Sequence, residues 1–319
     1  MNKALNYCLA IISMLCVSIN TKAQTAPDTL QMADPTIFLD KGVYYLYGTG
    51  SSKGFLVYSS TDLKTWKGPV GKRDGHALIK GESYGTEGFW APQLFKHKSK
   101  YYMAYTANEH IAIAEGDSPL GPFTQKKFGS ITEADKQIDP YIFKDTDGKL
   151  YLYHVRLKNG NRIYVSRMKA DLSDIDSSTT KECIHSETGW ENTASTPWTI
   201  AEGPTVLKHN GLYYLFYSAN DYRNIDYAVG YATSKSPMGP WAKQKDSPIL
   251  SRKVTGRNGT GHGDFFIDKA GNLNYVMHTH ETNSKTGKRK TAIIKAKFTN
   301  DKPAKMIVDK STFRFLLLD

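Results

Sequence analysis

The chain repeats one pattern of apolar and polar positions five times. Each copy has a short polar or Pro-containing entry, an apolar strand, a turn, and a second strand rich in aromatic residues. This pattern predicts a β-hairpin, because β-branched and aromatic side chains favour strands while Asp, Asn, Gly and Ser favour turns. The copies are ADPTIFLDKGVYYLYGTG from Ala33, APQLFKHKSKYYMAYTA from Ala91, DPYIFKDTDGKLYLYHV from Asp139, EGPTVLKHNGLYYLFYSA from Glu202 and HGDFFIDKAGNLNYVMHTH from His262.

A further strand and turn follow several of these hairpins. They are VYSSTDLKTW at 57–66, IAEGDSPLGPF at 113–123 and YATSKSPMGPW at 231–241. Successive hairpins begin 48 to 63 residues apart, which is room for a four-stranded blade with its loops. A β-sandwich would not need one phrase at five near-regular intervals, and a β-solenoid has shorter repeats. The sequence therefore predicts an all-β, five-bladed β-propeller whose inner strands begin near one axis and share one central pocket.

The first 23 residues have the composition of a secretory signal peptide. Lys3 precedes an apolar run from Ala4 to Val17, and a polar stretch ends in the small residue Ala23. We expect cleavage near Gln24, a secreted or periplasmic protein, and no transmembrane segment after removal of the signal. Residues 24–319 lack a linker or a break in composition, so we expect them to form a single catalytic propeller domain.

Charge and cysteine content exclude several function classes. The formal net charge is +11, and removal of Lys3 and Lys22 with the signal leaves +9. No block of Lys and Arg and no nucleic-acid motif stands out, so the excess charge predicts a solvated surface and no nucleic-acid partner. Only Cys183 remains after the signal is removed, which gives no case for an internal disulfide, a zinc site or redox chemistry. We expect no organic cofactor.

Three carboxylates stand at the starts of the repeated hairpins. The residues there are Asp34, Trp90, Asp139, Glu202 and His262. A single Asp-Pro or Glu-Gly-Pro is common at a turn before a strand. Three acids at the entries of a repeat that converges on one axis instead predict an active site.

The same segments resemble those of glycoside hydrolase family 43. The DPT opening, the internal IDPYIF and the later EGPTVLKHNGLYYLFYS are similar to the three signature segments of that family, in the same order. The resemblance extends over nearly the whole chain after the signal. It implies an inverting glycosidase in which Asp34 is the general base, Glu202 the general acid, and Asp139 the residue that tunes the pKa of the acid and orients it.

The chemistry of glycosidic cleavage asks for such a set. One carboxylic acid protonates the leaving oxygen while a carboxylate activates water on the opposite face of the sugar. A third carboxylate near the acid raises its pKa by like-charge repulsion and keeps it protonated near neutral pH.

Further residues enter through the resemblance. It implies that Trp90 and Arg289 contact substrate and that His262 lies near a central calcium ion or water cluster. Phe89 and Trp198 are further candidates for subsite walls. A core tryptophan, a solvated loop at 285–290 and an ordinary hydrogen-bonded histidine are the alternative interpretations of Trp90, Arg289 and His262. Calcium also prefers oxygen ligands to nitrogen.

The sugar is left open by the sequence. We expect an exo-acting enzyme that removes terminal pentose-type sugars from plant-type oligosaccharides or polysaccharides, with α-L-arabinofuranosidase the first choice and β-D-xylosidase or galactosidase the alternative. A non-catalytic glycan-binding propeller is the alternative from another class. A sialidase-type propeller is disfavoured because SSTDLKTW at 59–66 matches the Asp-box poorly and occurs once.

Overall fold

The computed structural model describes residues 28–131 and 135–319, and it confirms the predicted propeller. Within this part of the chain, antiparallel sheets form five blades in sequence order, and each inner hairpin lies where the repeat predicts it. The predicted signal peptide, residues 1–23, lies outside the described residues.

The blades are built from 22 strands, β1 to β22. Blade 1 contains β1 (Ala33–Asp40), β2 (Val43–Thr49) and β4 (Tyr58–Ser60), together with the short pairs β3 (Gly54–Leu56) with β6 (His76–Ile79) and β5 (Thr65–Trp66) with β22 (Leu317–Leu318). Blade 2 contains β7 (Trp90–His97), β8 (Lys100–Ala107) and β9 (His110–Gly116). Blade 3 contains β10 (Gln137–Lys144), β11 (Leu150–Leu157), β12 (Asn161–Met168) and β13 (Ile175–His185).

The last two blades have the same order. Blade 4 contains β14 (Ala201–His209), β15 (Leu212–Ala219), β16 (Ala228–Ser234) and β17 (Ala242–Lys243). Blade 5 contains β18 (Gly261–Ile267), β19 (Leu273–Thr279), β20 (Lys290–Phe298) and β21 (Met306–Phe315). The described helices are one turn of α-helix, α1 (Arg252–Thr255), and one 3-10 turn (Gly189–Glu191).

The hydrophobic core lies between the blades. Successive side chains of a strand point to opposite faces of a sheet, so adjacent residues of one blade pack against different blades. In blade 3, Leu152 packs with Ala104 of blade 2, whereas Tyr153 packs in the cluster shared with Leu215 of blade 4. Five such clusters fill the five interfaces. The aromatic-rich second strands of the repeat therefore serve as the contact surfaces between blades.

The ring is closed by residues that precede β1. The amide of Leu30 donates to the carbonyl of Leu316 at 2.8 Å, and the amide of Thr291 donates to the carbonyl of Leu30 at 2.9 Å. This segment therefore joins the last blade to the first.

Candidate active site

Each inner strand begins with the same backbone irregularity. One residue adopts a positive φ, and the pairing with the second strand shifts directly after it. The residues with this conformation are Asp34 (48°), Ala91 (43°), Asp139 (57°), Gly203 (60°) and His262 (40°). These are the structurally equivalent positions of the repeat. The sequence pattern aligned Trp90 and Glu202 with Asp34 and Asp139, and the structure corrects this, because both lie one residue before the equivalent position.

A hydrogen bond from this residue ties each blade to the blade before it. The backbone amide donates to a side chain at the end of the preceding second strand. The four pairs are Ala91 to Thr49 (2.9 Å), Asp139 to Thr106 (2.9 Å), His262 to Ser218 (2.8 Å) and Asp34 to Nδ1 of His278 (3.1 Å). In these four blades the residue with positive φ, near the start of the inner strand, is thereby fixed near the axis.

Blade 3 departs from this scheme. The residue at the equivalent place on its second strand is Val155, which pairs with Ile138 and has no polar side-chain atom. The amide of Gly203 donates instead to Oδ2 of Asp139, at 3.1 Å. A Cβ at position 203 would lie 2.8 Å from the ring of His262, so glycine is also required by space. The carboxylate of Asp139 is consequently held beside the residue that follows Glu202.

A cavity of about 520 Å³ opens over these residues. It brings together seven of the eight predicted site residues: Asp34, Asp139, Glu202, His262, Trp90, Trp198 and Arg289. Its volume lies in the range of roughly 300–1,000 Å³ that is typical of sites for small ligands.

Phe89 is the exception, and its predicted role is corrected. Its side chain is only 2% exposed and lies in the core between blades 1 and 2. It packs edge-on against Phe55 at 5.9 Å and stacks on Tyr105 at 6.4 Å. Trp90, which follows directly and begins β7, instead faces the cavity and is 38% exposed.

Asp34 is surrounded by basic groups. Nδ1 of His262 lies 3.3 Å from its Oδ1, and NH1 of Arg289 lies 3.6 Å from the same atom. The hydroxyl of Thr49 donates to Oδ2 at 2.6 Å. Burial alone would raise the pKa of Asp34, but the charges of His262 and Arg289 hold it well below its ordinary value. Asp34 is therefore ionised.

The pKa of Glu202 is shifted in the opposite direction. Burial, followed by the negative charge of Asp139, raises its pKa to about 7. The hydroxyl of Tyr227 donates to Oε1 at 2.8 Å, and Nδ2 of Asn161 donates to Oε2 at 3.0 Å. Burial also raises the pKa of Asp139, against the lowering effect of His262. The site thus contains one carboxylate that stays ionised, Asp34, and one, Glu202, that gains a proton as the pH falls through about 7.

His262 lies between two of the carboxylates. Its Nδ1 is 3.3 Å from Oδ1 of Asp34, and its Nε2 is 4.0 Å from Oδ2 of Asp139. Burial lowers its pKa, but the negative charges of Asp34, Asp139 and Glu202 outweigh this and raise it. Both ring nitrogens of His262 therefore face carboxylate oxygens.

Within residues 28–131 and 135–319, moreover, no group of three or more His, Cys, Asp or Glu side chains is placed to hold an ion. His262 as placed does not fit as a calcium ligand. Calcium near the axis stays a prediction, and no chemical step is derived through it.

His278 is neutral near pH 7, and its pKa is shifted in the direction opposite to that of His262. Burial lowers its pKa to about 4. Its Nδ1 accepts from the amide of Asp34, so the proton of the ring is on Nε2 and Nδ1 does not donate to the carboxylate 3.3 Å away. Its ring stacks on Tyr227 at 5.7 Å, which places it behind both the Asp34 and the Glu202 side of the site.

Several residues of the site were not predicted from the sequence. They are Thr49, Asn161, Tyr222, Tyr227 and His278. Thr49 and His278 end second strands of the repeat, and that common position was a signal that could have found them. Asn161, Tyr222 and Tyr227 lie outside the inner hairpins, in segments where the sequence has no repeat.

The comparison with known families decides the relationship. The profile of glycosyl hydrolases family 43 matches residues 29–303. The chain belongs to this family. The match covers all five inner hairpins, so membership rests on the whole propeller and makes the chain a glycosidase, an enzyme that hydrolyses glycosidic bonds.

Solved structures and curated relatives agree with this membership. An endo-1,4-beta-xylanase from Bacteroides thetaiotaomicron VPI-5482 is 41% identical, with a TM-score of 0.83 over 91% of this chain and 98% of that one. A beta-D-galactofuranosidase of Aspergillus niger is 24% identical over 88% of this chain and 84% of its own length. A beta-xylosidase of Xylanibacter ruminicola is 29% identical, over 49% of this chain and 56% of its own length. These relatives act on different sugars, so membership alone leaves the substrate open.

Two further observations concern the described residues. None of their helices is long and apolar enough to cross a membrane. The segment SSTDLKTW forms a turn in which Asp62 accepts from the amides of Lys64 and Thr65, at 2.8 and 3.0 Å.

Proposed function

We propose that the chain is an inverting, exo-acting glycosidase in which Asp34 is the general base and Glu202 the general acid. The observation that carries this proposal is that two carboxyl groups of one cavity lie in surroundings that shift their pKa values in opposite directions. Asp34 stays ionised beside His262 and Arg289, whereas Glu202 has a pKa of about 7. A base must be ionised to take a proton from water, and an acid must be protonated to give one to the leaving oxygen.

Asp139 takes the role of tuning and orienting the acid. Its negative charge raises the pKa of Glu202, and the Gly203 amide fixes its carboxylate. It accepts no proton in this scheme. Its effect is to keep Glu202 in the form that can donate a proton near neutral pH.

The remaining residues of the cavity bind the sugar. Trp90 and Trp198 are 38% and 48% exposed, and their rings give apolar faces on which a sugar can stack. The guanidinium of Arg289 lies 4.5 Å from the ring centre of Tyr222, which holds it in place beside Asp34. Arg289 can donate to a sugar hydroxyl at the position where the base works.

The sugar we propose first is a terminal α-L-arabinofuranose on a plant-type oligosaccharide or polysaccharide. β-D-Xylose is the second candidate, because one relative, of 41% identity, is named an endo-1,4-beta-xylanase and another is named a beta-xylosidase. Galactofuranose is the third, after the name of the Aspergillus niger relative. Each presents a compact ring with hydroxyl groups that Asp34, Arg289 and the tryptophans can contact.

A substrate panel tests the proposal. The purified protein is incubated with nitrophenyl α-L-arabinofuranoside, β-D-xyloside and β-D-galactoside, and with linear and branched oligosaccharides whose products are separated. Release of a single pentose from chain ends supports it. Binding to glycans without turnover of any member of the panel would favour the non-catalytic alternative, and release of internal fragments would contradict exo action.

We also propose that the protein is exported, on the basis of the charged, apolar and small-residue order of its first 23 residues. Sequencing of the amino terminus of protein recovered from the native cell envelope or medium tests this. A terminus near Gln24 supports the proposal, and an intact Met1 contradicts it.

A further inference from the structure

A chain of two hydrogen bonds connects the exposed wall of the cavity to the acid. Nε1 of Trp198 donates to Oδ1 of Asn161 at 2.9 Å, and Nδ2 of Asn161 donates to Oε2 of Glu202 at 3.0 Å. Asn161 is buried, with 8% of its surface exposed, while Trp198 is 48% exposed and lines the cavity. The indole of Trp198 thus lines the cavity and also contacts Asn161, the hydrogen-bond partner of Glu202.

The orientation of the Asn161 amide is fixed by chemistry. An indole N–H is a donor only, so the atom of Asn161 that faces Trp198 must be the oxygen. The amide nitrogen therefore faces Glu202. The backbone holds the side chain in place, because the amide of Asn161 donates to the carbonyl of Thr199 at 2.8 Å, next to Trp198.

This orientation matters for a protonated glutamic acid. A carboxylic acid can donate its proton to the oxygen of a neighbouring amide, and a free asparagine would rotate to accept it. In Asn161 that rotation would turn the NH₂ group toward the indole N–H, leaving two donors face to face. Trp198 thereby prevents the amide oxygen of Asn161 from accepting a hydrogen bond from protonated Glu202, so that this proton stays available for the leaving group.

We propose that Asn161 is a positioning residue for the general acid and that the indole N–H of Trp198 sets its orientation. This inference rests on the proposed function of Glu202 and names two residues that make its proton available. Asn161 donates to the carboxylate that remains after proton transfer, and a hydrogen bond to a charged oxygen is stronger than one to a neutral oxygen. Trp198 therefore has two separable roles, since its ring face binds sugar and its N–H acts through Asn161.

Three substitutions separate these roles. Asn161→Ala removes the donor to Glu202, and Trp198→Phe keeps an aromatic face but removes the N–H. Trp90→Phe is the matched control, because it makes the same change in the other exposed tryptophan of the cavity, whose indole forms no hydrogen bond to Asn161 or Glu202 in the described residues. Thermal unfolding midpoints of all variants show whether each remains folded at the assay temperature.

The first measurement needs no substrate. The protein is labelled with ¹³C at the glutamate side-chain carboxyl carbon, its NMR signals are titrated with pH, and Glu202→Gln assigns the signal of Glu202. We expect the midpoint to rise by roughly one pH unit in Asn161→Ala and in Trp198→Phe, the size expected for losing a hydrogen bond to a charged group. Trp90→Phe should leave the midpoint unchanged.

The second measurement uses turnover. Asn161→Ala and Trp198→Phe should lose roughly tenfold on an unactivated oligosaccharide and much less on a dinitrophenyl glycoside, because only the first needs the acid. An unchanged Glu202 midpoint in both variants overturns the inference and leaves the role of Glu202 intact. If Glu202 instead shows no titration near pH 7 in the unsubstituted protein, the proposed function is the part that fails.

A second variant keeps the test decisive if Asn161→Ala is unstable. Asn161→Asp retains the shape of the side chain and still accepts from Trp198, but it presents an oxygen instead of a donor to Glu202. The two acids would then share a proton, so the Glu202 midpoint should rise further than in Asn161→Ala. A midpoint that stays constant or falls would contradict the inference.

Discussion

Nδ1 of His262 lies 3.3 Å from Oδ1 of Asp34, and this pair fixes the charge on one side of the site. The charge of His262 lowers the pKa of Asp34, and the charge of Asp34 in turn raises the pKa of His262. Among the described residues Glu202 forms no ion pair within 4.0 Å; its hydrogen-bond partners are the neutral side chains of Tyr227 and Asn161. This difference in surroundings separates the pKa values of two carboxyl groups that line the same cavity.

The profile of activity against pH should contain one limb, caused by deprotonation of Glu202, and none caused by protonation of Asp34. The acid works in its protonated form, so activity should fall as pH rises through about 7. The base works in its ionised form, and its pKa lies well below the ordinary range, so Asp34 should cause no loss between about pH 4 and 7. The measurement is kcat/KM across pH with an unactivated substrate. Full activity maintained to pH 9 would contradict the assignment of Glu202.

Substitution of the acid should be felt only where the leaving group needs a proton. Glu202→Ala should lose roughly 10² to 10⁴-fold on an oligosaccharide but much less on a dinitrophenyl glycoside. Asp34→Ala should be crippled on both substrates, because water must be activated whatever departs. Equal losses in Glu202→Ala on good and poor leaving groups, or near-normal activity in a folded Asp34→Ala, would show that the roles are assigned wrongly.

Asp139→Asn should move the basic limb of the profile to lower pH. The negative charge of Asp139 raises the pKa of Glu202, and removal of that charge lets the acid lose its proton earlier. The substitution keeps the size of the side chain and an oxygen for the Gly203 amide. The kcat/KM profiles of both proteins give the displacement. A basic limb that moves upward would contradict this role of Asp139.

His262→Gln should move the profile in the other direction. His262 lowers the pKa of both Asp34 and Glu202, so its loss should raise both values. A new acidic limb should then appear as Asp34 becomes protonated at low pH, and the basic limb should move upward. Titration with and without a chelator in the same experiment tests calcium independently. An unaltered profile would show that His262 has no electrostatic part in catalysis.

The released sugar should first appear with inverted anomeric configuration. In an inverting enzyme the two carboxyl groups stand roughly 6.5–9.5 Å apart, which leaves room for the attacking water. We therefore expect a separation in this range between Asp34 and Glu202 when substrate is bound. Proton NMR of the sugar within the first minutes of hydrolysis decides the stereochemistry, and a product of retained configuration would require a nucleophilic carboxylate instead.

Much of the fold could be predicted because it is local and repeated. A hairpin is specified by the alternation of side chains and by its turn residues, and five copies made the blade count visible. The backbone agrees in detail: both residues of the turns Lys41-Gly42 and Asn210-Gly211 adopt positive φ, as two-residue hairpin turns require. The acids were found for the same reason, since they stand at the entries of the repeated strands.

The rest depended on contacts between distant parts of the chain. Asn161 begins the third strand of blade 3, and only the folded propeller brings it to Glu202, 41 residues later. Phe89 and Trp90 are adjacent aromatic residues, and sequence alone did not show that one faces the core and the other the cavity. The one-residue offset of Glu202 was also invisible, because Glu-Gly-Pro can be aligned with Asp-Pro in two ways.

The valine that replaces a polar residue at the end of the second strand of blade 3 has a consequence for symmetry. Five equivalent blades joined by five equivalent hydrogen bonds would give a ring in which every position on the axis has the same surroundings. The side chain of Val155 has no hydrogen-bond acceptor, so the Gly203 amide donates to the carboxylate of Asp139 instead. The five links between blades are then no longer equivalent. A threonine at 155 would offer that amide the ordinary acceptor and release Asp139. The omission of one hydroxyl group thus holds the charge of Asp139 beside the residue that follows Glu202, in a ring whose equivalent positions already carry different residues.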